Sequence, residues 1–286
     1  MKNILVLTDF SDNSENAAEL AVGLSSKLGT NLLLFNTYVT NSAAPFISEP
    51  WVAEDIFWGD DDSKDNLNKL AATLKTAAEK FDAEHHKPTI YCDNGEGKLG
   101  IVLPDIIHKH HVELVVMGAR AFNPDDDGLF GSDLNSTIQT SSRPVLVIPS
   151  KVDPDQLHKV IFATDFDESD MKAIHYLVNL GKILNFELEI IHIIHPDKAG
   201  RTKIQREIEL EEQVSRLKYP QITYHDIKGT DIVENILRIY RKSGAGLLAM
   251  VHHQHSFIMR MLHQSTTKRI LDNQEVPLMI FPSKIK

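Results

Sequence analysis

Apolar residues in this chain gather in short, unbroken runs. In the first half they are "NILVLTD" from Asn3, "NLLLFNT" from Asn31, "TIYCD" from Thr89, "VELVVMG" from Val112 and "PVLVIP" from Pro144. A strand with one wet face alternates apolar and polar residues, whereas a strand covered on both faces is apolar throughout. The runs therefore predict buried parallel strands. Strand and helix are expected to alternate along the chain, giving a doubly wound α/β sheet with helices on both faces. Ligands of such sheets bind beyond the carboxyl ends of the strands, where Asp9, Thr37 and Gly118 fall.

The pattern is written twice. "NILVLTDFSDNSENAAELAVGL" from Asn3 matches "KVIFATDFDESDMKAIHYLVNL" from Lys159, with Thr8-Asp9-Phe10 against Thr164-Asp165-Phe166 at an offset of 156. That offset pairs Asn36 with His192. By the third strand it is 133, pairing Tyr91 with Tyr224, and it stays 133 through the last two strands. The 23-residue surplus of copy one falls around Asn41 to Asp65, and "PSKVDPDQLHK" reads as a polar linker. Two tandem five-stranded domains follow, residues 1–150 and 151–286. A pseudo-twofold axis is expected to join them along Pro144 to Ile148 and Pro277 to Phe281, each a terminal strand with proline at its end.

Bulk properties narrow the function classes. The net charge of -10 argues against a general nucleic-acid binder, which needs clustered Lys and Arg. No apolar run approaches the roughly 20 residues of a membrane helix. The apolar run after Met1 is too short for a signal peptide and reads as a strand. One cysteine, Cys92, excludes an internal disulfide, and cytoplasm is the expected compartment. Within a strand, Cys92 is expected to be a buried small apolar residue.

The stretch "VVMGARAFNPDDDGLFGSD", Val115 to Asp133, reads as strand, glycine loop and helix start, the arrangement by which α/β proteins hold phosphate. Together with "LTDFS" (Leu7 to Ser11) and the closing "RPVLVIP", it makes the chain resemble the universal stress protein family over nearly its whole length. That family's phosphate motif is Gly, two residues, Gly, nine residues, Gly, then Ser or Thr. Here Gly118, Ala121, Gly131 and Ser132 keep the spacing, with alanine in place of the second glycine. The resemblance implies a regulatory stress-response protein binding ATP or a related adenine nucleotide in copy one, with or without Mg²⁺. The nucleoside would meet Asp9; the adenine would meet Thr37; the phosphates would meet Gly118, Gly131 and Ser132, with Arg120 adding a charge-assisted contact; Leu7, Thr8, Met117 and Ala121 complete the candidate binding residues. It also implies pairing through the last strands, which the fusion supplies within one chain. A further homodimer and an unidentified protein partner are compatible with this reading.

Other residues leave alternatives open. Asp125 to Asp127 are either a solvated loop tip or a Mg²⁺-holding cluster. In copy two, Val251 replaces Gly118 and His263-Gln264 replaces Gly131-Ser132, so its phosphate half is degenerate. His252, His253, His255 and His263 read as polar filling of that lost pocket, with a zinc site or an anion site as the sharper readings. His108, His110 and His111 close the third helix and read as structural, while His192 and His195 flank the end of copy two's second strand and are candidates to line its pocket. Trp51, Phe57 and Trp58 either cap the copy-one site or cover the neighbouring domain. The competing functions are an interaction module without nucleotide and a slow ATPase. The ATPase would depend on Asp125 to Asp127, the only acidic candidates near the loop for a base or a metal-bound water, and no Walker-type lysine is visible.

Overall fold

The computed structural model describes residues 2–38, 59–79, 86–119, 131–149, 152, 157–164, 167–194, 201–252 and 276–283. Copy one runs β1 (Asn3–Leu7), α1 (Asp12–Leu28), β2 (Asn31–Tyr38), α2 (Asp60–Ala78), β3 (Ile90–Glu96), α3 (Leu99–Lys109), β4 (Val112–Gly118), α4 (Gly131–Thr140) and β5 (Val145–Ile148). Copy two runs β6 (Lys159–Thr164), α5 (Glu168–Leu184), β7 (Glu187–Ile194), α6 (Arg201–Ser215), β8 (Ile222–Lys228), α7 (Ile232–Ser243), β9 (Leu247–His252) and β10 (Leu278–Pro282). The fourth helix expected in copy two lies outside the described residues.

The strands form one ten-stranded sheet in the order β3-β2-β1-β4-β5-β10-β9-β6-β7-β8. The order reads the same from either end once the copies are equated, as the expected pseudo-twofold relation requires. Within each copy the neighbouring strands are parallel, while β5 and β10 pair antiparallel, Leu146 opposite Met279. The expected meeting of the two terminal strands is thus the centre of the sheet.

Both faces are covered, which is why the strand sequences are apolar throughout. One core holds Ala17 and Ala21 of α1, Leu67 and Leu74 of α2, Ile174 and Leu177 of α5 and Leu210 of α6. The other holds Leu103 of α3, Leu134 of α4 and Ile236 of α7. Each core contains residues of both copies, so the domains share their interior. At the junction, Leu24 and Leu28 of α1 face Leu180 and Leu184 of α5 around a void of about 20 Å³ over Leu146 and Met279, lined only by apolar side chains.

Local signals set the helix ends alike in the two copies. Ser11 caps α1 through Ser14 N, and Gly29 closes it in the left-handed region at φ 64°. At the same offset of 156, Asp167 caps α5 and Asn185 closes it at φ 58°. These are residue types that accept those positions at low cost.

Two sequence expectations need correction. Tyr91 and Tyr224 are not equivalent. Leu32 pairs with Ile90, and Leu188, 156 further on, pairs with Ile222, which lies 132 beyond Ile90. The third strands therefore match at 132, so Tyr91 corresponds to Thr223 and Cys92 to Tyr224. A one-residue slip turns a strand's side chains over. Cys92 and Tyr224 both belong to the face under α2 and α6, where Cys92 Sγ lies 3.5 Å from the Leu67 carbonyl. Nor is Cys92 buried: it is exposed, because β3 is an edge strand, as β8 is at the other end. Partial burial still raises the Cys92 thiol above its ordinary pKa, against a weaker opposite effect of Lys75.

At Gly118 the first turn of α1 crosses the end of β4. A Cβ there would lie 2.5 Å from Asn13 C and 2.6 Å from Asn13 O and Ser14 N. All three are backbone atoms, so the main chain itself would have to move. This close approach accounts for the glycine whether or not a phosphate binds nearby. At the matching place in copy two, Val251 is a buried valine, 5% exposed, so the first turn of α5 leaves room that α1 does not.

Two outcomes follow from this packing. Leu146→Ala and Met279→Ala should each cost about 2–5 kcal/mol in urea unfolding. Their costs should be non-additive in the double variant, because the residues face one another across the junction; two separate transitions in the wild type would show that the halves do not share a core. Gly118→Ala should lose about 1–3 kcal/mol through overpacking and Gly118→Val more, whereas Val251→Ala should behave as an ordinary cavity substitution.

Candidate functional site at the carboxyl ends of the strands

In copy one the sheet order changes direction between β1 and β4: from β1 the chain moves to β2 on one side, and β4 lies on the other. Such a switch point opens a crevice at the carboxyl ends, because the helices following the two strands go to opposite faces. Around it lie Thr8 and Asp9 after β1, Thr37 near the end of β2, and Met117 and Gly118 at the end of β4. Register sets the level of these ends: Leu7 pairs with Phe35 on one side and Met117 on the other. The expected helix start at Gly131 is where α4 begins, and Leu134 of its first turns is buried in the core that also holds Met117 and Ala119.

A buried polar chain holds the floor of the crevice. Ser63 Oγ of α2 donates to Asn36 Oδ1 at 2.8 Å, and Asn36 Nδ2 donates to the Thr8 carbonyl at 2.7 Å. Thr8 Oγ1 and Ser14 Oγ of α1 share a hydrogen bond at 3.0 Å. All four residues are buried. Buried polar groups persist where they are mutually satisfied, and this chain ties β1, β2, α1 and α2 together below the crevice. Asp9 Oδ1 accepts from Ser11 N at 3.1 Å and Ser11 Oγ at 2.6 Å, which fixes the carboxylate at the entrance to α1. On the other wall, Asn13 Nδ2 donates to the Ala119 carbonyl at 2.5 Å, and Ala119 N donates to the Ile148 carbonyl at 2.8 Å. The chain leaving β4 is therefore held from both sides as far as Ala119.

Electrostatics at this end of the sheet are acidic. Asp60, Asp61 and Asp62 occupy the first turn of α2 and Asp133 that of α4, positions that suit the helix dipoles. Hydrogen bonds from Lys64 and Asn94 hold the Asp60 carboxyl below its ordinary pKa. These carboxylates oppose a highly charged anion more than a singly charged one.

Of the residues expected at a nucleotide site, Leu7, Thr8, Asp9, Thr37, Met117 and Gly118 come together at this end. Gly131 and Ser132 open α4; the Ser132 side chain lies outside what is described, as do Arg120, Ala121 and Asp125 to Asp127. The polar floor formed by Asn36, Ser14 and Ser63, and the tether through Asn13, were not among the expected site residues. The one sequence signal for them was a polar residue, Asn36, inside an apolar strand, aligned with His192.

Copy two has rebuilt the same floor with ionisable groups. Thr164 Oγ1 donates to Asp170 Oδ2 at 2.6 Å, where copy one has Thr8 and Ser14. His192, buried like Asn36, lies beside Thr164 in register and 3.1 Å from Asp226 Oδ1 through its Nδ1. Tyr224 Oη donates to the same carboxylate oxygen at 3.0 Å. His252 ends β9. His253, His255 and His263 lie outside the described residues, as do Asp165 and His195, so the expected histidine cluster is described only at its first member.

Comparison with known proteins agrees with the repeat and the topology. The sequence profile of the universal stress protein family matches residues 1–149 and again 156–282. A universal stress protein of Synechocystis is 25% identical over 301 aligned positions, covering 98% of this chain and all of that protein. Among solved structures, a universal stress protein of Archaeoglobus fulgidus superposes with a TM-score of 0.69 at 18% identity, covering 98% of this chain and 96% of its own. A putative universal stress protein of Pseudomonas aeruginosa gives 0.62 at 14% identity, with 98% and 92% covered. Within the described residues no helix is long and apolar enough to cross a membrane. With two family domains in succession sharing one sheet, the chain belongs to the universal stress protein family as a tandem member.

Proposed function

We propose that the protein is a cytoplasmic regulator, not an enzyme, whose first domain (residues 1–150) binds an adenine nucleotide and whose second (151–286) serves as its built-in pairing partner. The observation that carries this reading is the convergence of Asp9, Thr37, Gly118 and the start of α4 at the switch point between β1 and β4. A helix N-terminus there offers free N–H groups to a phosphate. Asp9 offers an acceptor to ribose hydroxyls, and Thr37 lies where a base would rest beyond β2. Leu7, Thr8, Met117, Arg120, Ala121, Gly131 and Ser132 complete the proposed lining.

The acidic surroundings shape which nucleotide suits the site. Asp133 in the first turn of α4 and the aspartates opening α2 favour a short phosphate chain. AMP or ADP therefore fits better than free ATP, and Mg²⁺ restores part of ATP's deficit. The second domain, with Val251 in place of the glycine and Asp170 and His192 in its floor, supports pairing rather than nucleotide binding. The antiparallel β5–β10 ladder supplies within one chain the contact that a pair of single-domain relatives would make between chains.

Calorimetry on the whole chain tests the reading. AMP should bind more tightly than magnesium-free ATP. Asp9→Asn should weaken AMP about tenfold, the equivalent of roughly 1.4 kcal/mol, without lowering thermal stability comparably. Ala121→Gly should strengthen binding. Wild-type protein that releases no heat with AMP, ADP or ATP at millimolar concentration would leave the interaction module as the function.

A further inference from the structure

A second opening lies at the other end of the same strands. At the amino end of copy one, between β1, β2, β3 and the end of α3, the surface is hollowed to a volume of about 400 Å³. That is the size of a small-molecule site, and it is separated from the nucleotide crevice by the length of the strands. Its floor includes Leu33, 1% exposed, and its wall Tyr91, 50% exposed and paired with Leu33 in register, so that both face the hollow's side of the sheet. At its rim Asp93 Oδ2 accepts from Lys109 Nζ at 2.8 Å and lies 3.0 Å from His110 Nε2. Burial works to raise the Asp93 carboxyl, but these two bonds, the charge of Lys109 and the Asn94 amide together hold the group below its ordinary pKa.

Copy two is an internal control. At the positions matching Asn3, Leu33, Tyr91 and Asp93 it has Lys159, Glu189, Thr223 and His225. Glu189 is buried there. Lys159 Nζ lies 2.7 Å from its Oε2, and His225 Nε2 3.9 Å from its Oε1. Both copies thus carry one carboxylate between two basic groups at this end of the sheet. In copy two the carboxylate grows from the floor position and is buried between its two basic partners. In copy one it stands at the rim, and the floor is left to a leucine beside an exposed tyrosine ring.

The chemistry of the lining selects a ligand. Tyr91 offers an exposed ring face above the buried Leu33, which suits a flat apolar body. An ammonium carries three donors, and Asp93 occupies one of those on Lys109, leaving the others for an anionic group at the rim. We propose that this hollow binds a small aromatic carboxylate, its ring against Tyr91 and its carboxylate on Lys109. The site is independent of the adenine-nucleotide reading, and either can fail without the other.

Titrating 2-naphthoate into the full chain by calorimetry tests it. One saturable site is expected. Tyr91→Thr, which copies Thr223, and Lys109→Ala should each weaken it about tenfold. Both residues are at the surface, so the melting temperature should change little. Asn3→Lys combined with Leu33→Glu, which copies the Lys159–Glu189 ion pair, should abolish binding if the variant stays folded. AMP titrations of Tyr91→Thr and Lys109→Ala should match the wild type. No heat from wild-type protein, or an affinity that both single variants leave unchanged, would overturn the proposal.

Discussion

The antiparallel pairing of β5 with β10 is the contact on which the rest of the molecule depends. Each five-stranded half, taken alone, would end in an open edge at its last strand, with a row of unpaired N–H and C=O groups and a flank of apolar side chains. Joining the two edges satisfies both at once. It also brings α1 against α5 and merges the cores above and below the sheet, so that residues of both copies belong to each cluster. A pseudo-twofold axis results because the two edges are copies of one sequence pattern. The edges that remain, β3 and β8, carry Asp93, Glu96, His225, Asp226 and Lys228, charged or titratable side chains of the kind that discourage further strand addition.

With the fold held at its centre, the outer ends of the two copies have diverged. At the carboxyl ends, copy one has a neutral floor of hydroxyls and an amide, and copy two an acid–histidine arrangement at the same level. At the amino ends, copy two sets a buried ion pair at the level where copy one has its hollow. In both places the two-sided burial of the strands is untouched. The changes fall on buried positions near the ends of the sheet, and in each copy the polar groups among them are satisfied by one another.

Gly118 shows how a motif residue can answer to two demands. The family spacing marks it as part of a phosphate loop. The structure assigns it a further task, letting the backbone of α1 cross β4 at van der Waals limits. Structural and ligand-binding explanations for such a glycine are not exclusive, and its loss in copy two requires the helix there to lie differently as well as the pocket to change.

Much was legible in the sequence because it depends on local periodicity. Unbroken apolar runs announced strands buried on both faces, and the repeat announced two domains meeting through their terminal strands. The helix start at Gly131 followed from the strand, glycine loop and helix pattern around it. What remained hidden depends on contacts between residues far apart in the chain. The third-strand register was misjudged by one position because Tyr91 and Tyr224 look alike in a sequence, whereas hydrogen bonding to the neighbouring strand fixes which face each occupies. Cys92 was expected inside, since a strand's sequence does not say whether it is central or at an edge. The floor of Ser63, Asn36, Thr8 and Ser14 joins four elements, and the cluster of Lys159, Glu189 and His225 joins three strands. Sequence by itself determined the secondary structure, the duplication and the family, all consequences of near-neighbour patterning. Tertiary structure alone decided the sheet edges, the buried polar chain and the open hollow, because each exists only where separate segments are brought side by side.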